Sequence, residues 1–487
     1  MTKFDIIVIG SGLGGLQCAC ILSKQGFNVC VLEKNSHSGG CLQSFKRGNT
    51  ELDTGFHYAG GLDEGQPLYR LFDYFGLMDL PWHRLDSEGF DEIIINSRSF
   101  MFASGYENFA ESLSQKFPKE KERLNQYVSF LKKVSDSIFD ILNNRQPDKF
   151  LTALFSSSAY DFLKSITNDP LLIDVLSGAS LKMELNPASL PLYTFAQINS
   201  SFIQSAYRLK GGGSLIADTL VNQIKTNGGS VLTNSNVTKL VEKDRKIIAV
   251  EINGTYRIAA DYVISDIHPA NLLALIDESN CIRNIYRERI NNLHNSFGMF
   301  TAHFVLKKNS IPYLNRNLFI YDKCNLWNSI KNQENKCALI SFKVPEDGSS
   351  FTPNIDVITP LHWKEVALWE NTQTGRRGKD YLSFKKQKAA DSLEFVSNHI
   401  SNIKNCVEAV YTSTPLTYRD YTGTFHGSAY GICKDYNRWI TTMLSPRTPV
   451  ANLFLTGQNP NLHGMLGVSI TSFLTCAEIT GNPAFYG

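Results

Sequence analysis

The stretch IVIGSGLGGLQCACILSKQGFNVCVLEKNSHSGG, residues 7–40, decides the fold class of this chain. Its apolar runs predict a buried strand from Phe4 to Ile9 and a second strand from Asn28 to Leu32. Between them, Leu13 to Gln25 is apolar on most sides and predicts a buried helix. Strand, helix and strand in this order predict the βαβ start of a doubly wound α/β domain.

The glycines of this stretch have the spacing of a dinucleotide-binding turn. The pattern G-x-G-x-x-G is formed by Gly10, Gly12 and Gly15. The first glycine permits a tight turn, the second lets backbone approach a pyrophosphate, and the third lets helix and strand pack closely. Glu33 ends the second strand, 18 residues past Gly15. Its carboxylate would accept hydrogen bonds from ribose hydroxyls and repel a 2'-phosphate.

This fingerprint alone fits NAD and FAD equally. Two further glycine turns favour FAD. Gly39-Gly40 follows the acidic residue, and Gly457 lies in a glycine turn near the other end of the chain. A long flavin cofactor held by both ends of the sequence explains both turns, whereas a nicotinamide cofactor would not require the second.

Composition and charge exclude several classes of protein and of binding partner. The chain has 487 residues, 43% of them hydrophobic, which suits a globular protein of two or three domains. Lys and Arg number 48 against 46 Asp and Glu, a net charge of +2, so no nucleic-acid partner is expected. No stretch of roughly 20 apolar residues predicts a membrane-spanning helix, and no signal-peptide pattern is present. We therefore expect a cytoplasmic protein, with peripheral membrane attachment left open.

The ten cysteines form no C-x-x-C pair and no zinc spacing, so we expect reduced thiols and no metal site.

Changes of pattern along the chain predict its domains. Apolar and aromatic residues at helical spacing predict a helical cap, glycine turns and alternating residues predict strands, and the final segment reads as strand, turn and helix. The expected parts are FAD-binding segments 1–70, 200–290 and 446–487, a helical cap at 71–199 and a β-rich substrate domain at 291–445. Within the cap, Asp148 to Ile166 would either dip into a bilayer or pack as a surface helix. Ser214 is expected to cap the helix that it begins.

At these motifs the chain resembles the amine-oxidase-like flavoproteins, and among them the phytoene desaturase, carotenoid isomerase and retinol saturase family, with most similarity to the saturases. The matching segments are GSGLGGL, VLEKN, ELDTGFHYAGG, LKGGGSLIADTL, ADYVISDIHP, GSAYGI and NLFLTGQNPNLHGMLGVSIT, in family order. The resemblance implies a discontinuous, doubly wound, Rossmann-like FAD domain with a β-sheet substrate domain and a helical cap.

The resemblance also implies which residues would hold FAD. The first glycine turns and Glu33 would bind the adenosine and pyrophosphate, Val237 would lie near the adenine, and the final helix would begin under the isoalloxazine. The complete predicted set is Gly10, Gly12, Leu13, Gly14, Gly15, Glu33, Lys34, Gly39, Gly40, Cys41, Val237, Gly457, Gly464, Met465, Leu466 and Val468. Cys41 departs from the family, since many desaturases have Arg after Gly-Gly.

In such enzymes the flavin N5 exchanges a hydride with a carbon–carbon bond, so an apolar tunnel and one proton donor suffice. The polar candidates nearest the expected ring are His57, Tyr58, Tyr430 and His463, each of which could instead be a buried structural side chain. Phe195, Phe202 and Tyr207 would line the tunnel or pack in the core. Since no second nucleotide fingerprint is present, electrons would come from or go to transient NAD(P)H, a quinone or another carrier.

The expected reaction is saturation or desaturation of a double bond in an isoprenoid or other polyene lipid. Two alternatives keep the flavin: cis/trans isomerisation of a polyene, and amine oxidation. A third is a lipid-binding escort protein of the GDP-dissociation-inhibitor type, which would hold no flavin. The substrate is expected to be a hydrophobic small molecule, and the oligomeric state is left open.

Overall fold

A computed structural model describes residues 2–48, 50–143, 149–330, 332–346 and 348–482. Its strands are β1 (Lys3–Ile9), β2 (Val29–Leu32), β3 (Ser44–Arg47), β4 (Thr50–Asp53), β5 (Ala59–Gly60), β6 (Trp82–Arg84), β7 (Asp91–Ile95), β8 (Arg98–Phe102), β9 (Ala206–Leu209), β10 (Ser230–Leu232), β11 (Val237–Lys243), β12 (Lys246–Ile252), β13 (Tyr256–Ser265), β14 (Gly298–Leu306), β15 (Asn317–Tyr321), β16 (Cys337–Phe342), β17 (Asn354–Leu361), β18 (Val407–Ser413) and β19 (Leu453–Leu455).

The α-helices, joined in places by short 3₁₀ turns, are α1 (Leu13–Lys24), α2 (Pro67–Tyr74), α3 (Tyr106–Ser114), α4 (Lys121–Asp136), α5 (Ile138–Asn143), α6 (Lys149–Ser156), α7 (Ala159–Ile166), α8 (Pro170–Leu176), α9 (Leu192–Gln204), α10 (Ser214–Thr226), α11 (Pro269–Ala274), α12 (Asn284–Asn291), α13 (Leu326–Ser329), α14 (Lys379–Val396), α15 (Ile403–Cys406), α16 (Pro415–Thr422), α17 (Trp439–Thr442) and α18 (Gly464–Thr480).

The first sheet is built from distant parts of the chain. Its parallel part has the strand order β10, β2, β1, β13, β19, and the β11–β12 hairpin joins the start of β13. Successive side chains of a strand point to opposite faces. Ile6 and Val8 of β1 accordingly pack with α1, α10 and α18, while Ile7 and Ile9 pack with the hairpin and α11. Both faces are therefore covered, as a parallel sheet requires.

The second sheet has the strand order β18, β14, β17, β16, β15, β7, β8 and is antiparallel except between β15 and β7. One face packs against the cap helices α3, α4 and α9, and the other against α14. The predicted fold class is present: a Rossmann-like sheet, a β-sheet domain and a helical cap. The domain boundaries stay a prediction, and β6, β7 and β8 show that residues 71–199 are not purely helical.

One local prediction differs from the structure and another stays open. Ser214 is the first residue of α10 rather than its cap, and the Asp53 carboxylate accepts a hydrogen bond from Gly213 N at 2.9 Å just before the helix. The segment from Asp148 to Ile166 is expected either to dip into a bilayer or to pack as a surface helix. Its first residue, Asp148, lies outside the described residues. Leu151, Leu154 and Leu163 of α6 and α7 are buried against the cap. Both alternatives for this segment stay predictions.

Across the described residues, no helix has the length and apolar character needed to cross a membrane. All ten cysteines are free thiols, and most of them are buried.

Candidate cofactor and substrate site

One cavity of about 560 Å³ joins the first glycine turn to the interface between the two sheets and the cap. Its walls come from the βαβ start, the turn at 39–42, the segment at 55–60, α9, the loop after β13 and the C-terminal segments at 421–431 and 457–468. The two ends of the chain therefore meet at this cavity.

Every cofactor residue and polar candidate predicted from the sequence lines this cavity except Gly15. Gly15 instead fills the predicted packing role, because a Cβ there would collide with the carbonyl oxygen of Gly10. Gly10 adopts a φ of +94°, a left-handed conformation that favours glycine and makes the tight turn into α1. The cofactor assignments themselves stay predictions.

Glu33 forms the acidic end of the cavity. Its carboxylate accepts hydrogen bonds from Ser11 N at 3.1 Å, Ser11 Oγ at 2.6 Å and Asn35 N at 2.8 Å. A carboxylate offers about four acceptor positions, so one remains for a ribose hydroxyl. Ser11 occupies a variable position of the glycine pattern, and nothing in the sequence singled it out.

Asp266 lies among the glycines and was missed by the sequence analysis. A Cβ at Gly14 would lie 2.6 Å from Asp266 Oδ1, and one at Gly12 or Gly457 would come closer still. The side chain also faces the cavity. Burial raises the pKa of Asp266 to about 7, and the nearby Glu33 carboxylate adds to the rise. The only sequence signal was its position in the family motif ADYVISDIHP, directly after a buried strand.

The N-terminus of α18 forms another wall. Gly464, Met465, Leu466 and Val468 line the cavity, and no side chain caps the helix start. The free N–H groups and the positive end of the helix dipole therefore favour negative charge at this wall.

A buried polar network borders the opposite, more apolar end of the cavity. Asp91 Oδ2 accepts hydrogen bonds from Tyr58 OH at 2.8 Å and from Lys182 Nζ at 3.0 Å. Asn317 Nδ2 donates to Asp91 Oδ1 at 2.8 Å. Lys182 Nζ also lies 3.7 Å from the centroid of the Phe202 ring. Burial lowers the pKa of Lys182, and the Asp91 charge opposes that shift.

The same network makes Tyr58 a poor proton donor to a substrate, because its hydroxyl proton is donated to Asp91. Burial raises the pKa of Tyr58 well above its ordinary value, and Asp91 raises it further. Lys182 lines the cavity beside it and was missed by the sequence analysis, since a single lysine in a helical segment carries no pattern.

His463 and Tyr430 are tied to the backbone of the cap. His463 Nε2 lies 2.8 Å from the carbonyl oxygen of Lys182, and Tyr430 OH donates to the carbonyl oxygen of Leu181. Burial lowers the pKa of His463 to about 4 and raises that of Tyr430. Both side chains have the hydrogen-bonded environment of structural residues that also line the cavity.

His57, unlike His463 and Tyr430, makes no direct hydrogen bond to a protein group among the described contacts. Its Nδ1 lies 3.9 Å from Asp356 Oδ2, beyond a direct hydrogen bond, while Asp356 Oδ1 lies 2.7 Å from His303 Nδ1. Burial lowers the pKa of His57, and Asp356 opposes the shift. Burial alone would raise the pKa of Asp356, but His303 and His57 hold it below its ordinary value. Of the four polar candidates, His57 is the one that the described contacts leave without a direct hydrogen bond to a protein group.

Of the three aromatic residues predicted to line the tunnel or pack in the core, one lines the cavity and two pack around it. Phe202 lines the cavity. Phe195 is fully buried and its ring packs against Trp327, and Tyr207 donates a hydrogen bond to Asp63 Oδ1 at 2.5 Å. Phe195 and Tyr207 are therefore part of the packing around the site rather than its wall.

The residues present fit a dinucleotide at one end and an apolar molecule at the other. The glycine cradle, the two helix N-termini and Glu33 supply the donors and the acceptor that such a cofactor requires. Fold and site together define a protein with a Rossmann-like dinucleotide domain whose cavity continues into an apolar space.

Comparisons with known proteins give the particular relatives. A family model described as an NAD(P)-binding Rossmann-like domain matches residues 8–75. The chain is 25% identical to human all-trans-retinol 13,14-reductase, over 98% of this chain and 85% of that protein. It is 27% identical to prolycopene isomerase 2 of an Oncidium hybrid cultivar, over 54% and 48% of the two chains. It is 21% identical to a 4,4'-diapophytoene desaturase of Methylomonas sp., over 93% and 90%.

Solved structures show the same fold at low identity. An oxidoreductase from Methanosarcina mazei has a TM-score of 0.65 at 17% identity and covers 97% of this chain and 99% of its own. Putrescine oxidase bound to putrescine gives 0.65 at 16%, covering 98% and 99%. A Rab GDI from Plasmodium falciparum gives 0.56 at 14%, covering 99% of both chains. The predicted resemblance, fold class and oxidoreductase activity are confirmed by these comparisons, and a flavin-type cofactor is consistent with them.

Proposed function

We propose that this protein is an FAD-dependent oxidoreductase that acts on a carbon–carbon double bond of an isoprenoid or other polyene lipid. The observation that carries the proposal is the continuity of one cavity, which runs from Glu33 and the glycine turn to the apolar space beside His57. Relatives named for retinol reduction, prolycopene isomerisation and diapophytoene desaturation support the substrate class.

The chain would hold the cofactor from both of its ends. The N–H groups at the start of α1 would face the pyrophosphate, and Glu33 would accept a hydrogen bond from a ribose hydroxyl. The positive end of α18 would lie towards the opposite part of the cofactor and would stabilise negative charge there. When bound, FAD would supply hydride exchange at the flavin N5.

The apolar wall would bind the polyene and exclude water. Phe56, Ile198, Phe202, Met299 and Leu339 line this part of the cavity, and none of them brings a charge to it. Exclusion of water protects a hydride transfer from side reactions. A flat, conjugated chain is the kind of molecule that such a wall accepts.

His57 would hold the proton that the second carbon requires in a saturation. It lines the cavity and leaves its ring free of a direct hydrogen bond among the described contacts, while the Asp356 carboxylate opposes the lowering of its pKa by burial. Tyr58, Tyr430 and His463 would instead shape the wall, because their polar atoms are engaged with protein groups.

Electrons would be exchanged with transient NAD(P)H or with a quinone. A cytoplasmic location and peripheral membrane contact for collecting a lipid substrate belong to the same proposal. An isomerase would use the same site without net exchange of electrons.

Purified protein tests the proposal. We expect a yellow preparation that releases FAD on denaturation. The bound flavin is then reduced without oxygen and mixed with all-trans-retinol or prolycopene. Flavin reoxidation with a mass gain of two hydrogens supports saturation, whereas unchanged mass with altered geometry identifies an isomerase. Protein that binds no flavin even after FAD is added refutes the proposal and favours a lipid-binding escort protein.

A further inference from the structure

The carboxylate of Asp266 lies where the anionic part of the cofactor would be expected. Gly12 and Gly14 at the start of α1 and Gly457 near the chain end all leave room for its oxygens, since a Cβ at any of them would collide with Oδ1 or Oδ2. The backbone N–H groups of Gly12 and Gly15 face the carboxylate. The glycine cradle is therefore shaped around an acidic side chain as well as a phosphate.

A charged carboxylate at this place would repel a pyrophosphate. No described Lys, Arg or His forms an ion pair with Asp266 that could neutralise it. Lys34 also lines the cavity, but its Nζ donates to the carbonyl oxygen of Asp420 at 3.1 Å. Repulsion between two anions in a poorly solvated cradle costs far more than at a surface.

We propose that Asp266 binds the FAD pyrophosphate as a neutral carboxylic acid, whose O–H donates to a phosphate oxygen, so that binding of FAD takes up a proton wherever the free carboxyl is ionised. The inference rests on the proposed function, because it assumes that FAD is the dinucleotide. It assigns a cofactor-binding role to a residue outside the glycine fingerprint.

The protonation state of the free protein agrees with this role. The pKa of Asp266 is raised to about 7 by burial and by Glu33, against the opposing N–H groups. A bound pyrophosphate adds negative charge and would raise the pKa further. Affinity is then fully present below pH 7 and falls as the pH rises above it, because the free protein must regain a proton to bind.

Other titratable groups also lie around the cradle. Lys34, on the turn after β2, faces the cavity; burial lowers its pKa, while the Glu33 and Asp420 charges oppose that shift. Any pH dependence due to Lys34 would persist in Asp266→Asn, which separates its effect from that of Asp266. Cys41, on the 3₁₀ turn, has a pKa raised by burial to about 11. His268, after β13, has a pKa lowered by burial to about 4. The segments from α1 and from Gly457 contribute no ionisable side chain to the cradle.

The test measures FAD release from the holoprotein on dilution, followed by the rise in flavin fluorescence, at pH 6.5, 7.5 and 8.5. For the unaltered protein we expect Kd to rise about tenfold between pH 7.5 and 8.5. Asp266→Asn keeps a hydrogen-bond donor that does not titrate, so its Kd should be nearly independent of pH. Asp261→Asn is the matched control, because Asp261 lies on β13, five residues before Asp266, but is exposed and pairs with Lys3.

A Kd of the unaltered protein that is constant over this range, or that falls as the pH rises, overturns the inference while FAD binding itself leaves the proposed function intact. Because this comparison uses only the unaltered protein, it does not depend on whether Asp266→Asn folds. Protein that binds no FAD at any pH refutes the proposed function, and the inference with it.

Discussion

Replacing Asp91 with Asn would remove the buried negative charge that neutralises Lys182 beside the cavity. Asp91 is fully buried and accepts hydrogen bonds from Lys182, Tyr58 and Asn317. Removal of its charge leaves the Lys182 ammonium, whose side chain is only 10% exposed, without a counter-ion. Breaking a buried pair by removing one partner costs about 3–5 kcal/mol of unfolding free energy.

Asn keeps a carbonyl oxygen for Tyr58 and Lys182, but its NH2 would face the Asn317 donor. We therefore expect a loss of at least the lower end of that range, about 3 kcal/mol. The unfolding entropy of a chain of 487 residues is about 1 kcal/mol/K, at ~2.1 cal/mol/K per residue. The melting temperature should therefore fall by at least about 3 °C. Calorimetry of the FAD-saturated protein at neutral pH measures it.

Two further variants show whether the effect comes from the unpaired cation. Adding Lys182→Met to Asp91→Asn removes the stranded charge and should recover much of the lost stability. The exposed pair of Asp136 with Lys132 gives the control, and Asp136→Asn should cost no more than about 0.5 kcal/mol. The reasoning is refuted if Asp91→Asn melts within 1 °C of the unaltered protein, or if the double variant is less stable than the single one.

Three other substitutions test the site. Gly12→Asp should abolish FAD loading, because a second carboxylate would crowd Asp266 and the pyrophosphate; a fully yellow variant would show that the cofactor is misplaced. Glu33→Gln should weaken FAD binding about tenfold through loss of a charge-assisted bond to ribose, and fluorescence titration with an unchanged Kd would contradict that role. His57→Gln should slow reoxidation of reduced enzyme by polyene by about 10²–10⁴-fold without altering FAD content; stopped-flow rates equal to those of the unaltered protein would exclude His57 as the proton donor.

Local patterns in the sequence predicted the dinucleotide end of the fold well. The predicted helix Leu13 to Gln25 is α1, Leu13–Lys24, and the strands agree within a residue. The alternating residues predict strands, and β11, β12 and β13 lie there, with Asn253-Gly254, a pair typical of hairpin turns, between β12 and β13. These features depend on side-chain periodicity and on residues that favour a left-handed backbone, which are local properties.

Long-range pairing explains what the sequence could not predict. Asp266 meets Gly14 only because β13 pairs with β1, and the two residues are about 250 positions apart. Asp91, at the start of β7, meets Lys182 across the boundary between the second sheet and the cap. A single buried acid forms no periodic pattern in the sequence. The roles of Asp266 and Asp91 could therefore not be predicted before the strand order was known.

The four polar candidates predicted from the sequence all line one cavity, but no sequence pattern ranks them: His57, Tyr58, Tyr430 and His463. Their hydrogen-bond partners decide the ranking, and three of those partners are a buried carboxylate and two backbone carbonyl oxygens. Carbonyl oxygens are present at every residue, and no sequence pattern tells which one a side chain will reach.

The packing of α1 against α18 sets a condition on biosynthesis. The central residues of α1 are buried on all sides, and Gln17 Nε2 donates to Ser469 Oγ at 2.9 Å. Some 440 residues separate the end of α1 from the start of α18. At about 5–20 residues per second, the ribosome needs roughly 20–90 s to deliver that partner. During this interval the nascent chain exposes an apolar helix, so a stop codon before residue 464 would yield a product that chaperones and proteases recognise as unfinished.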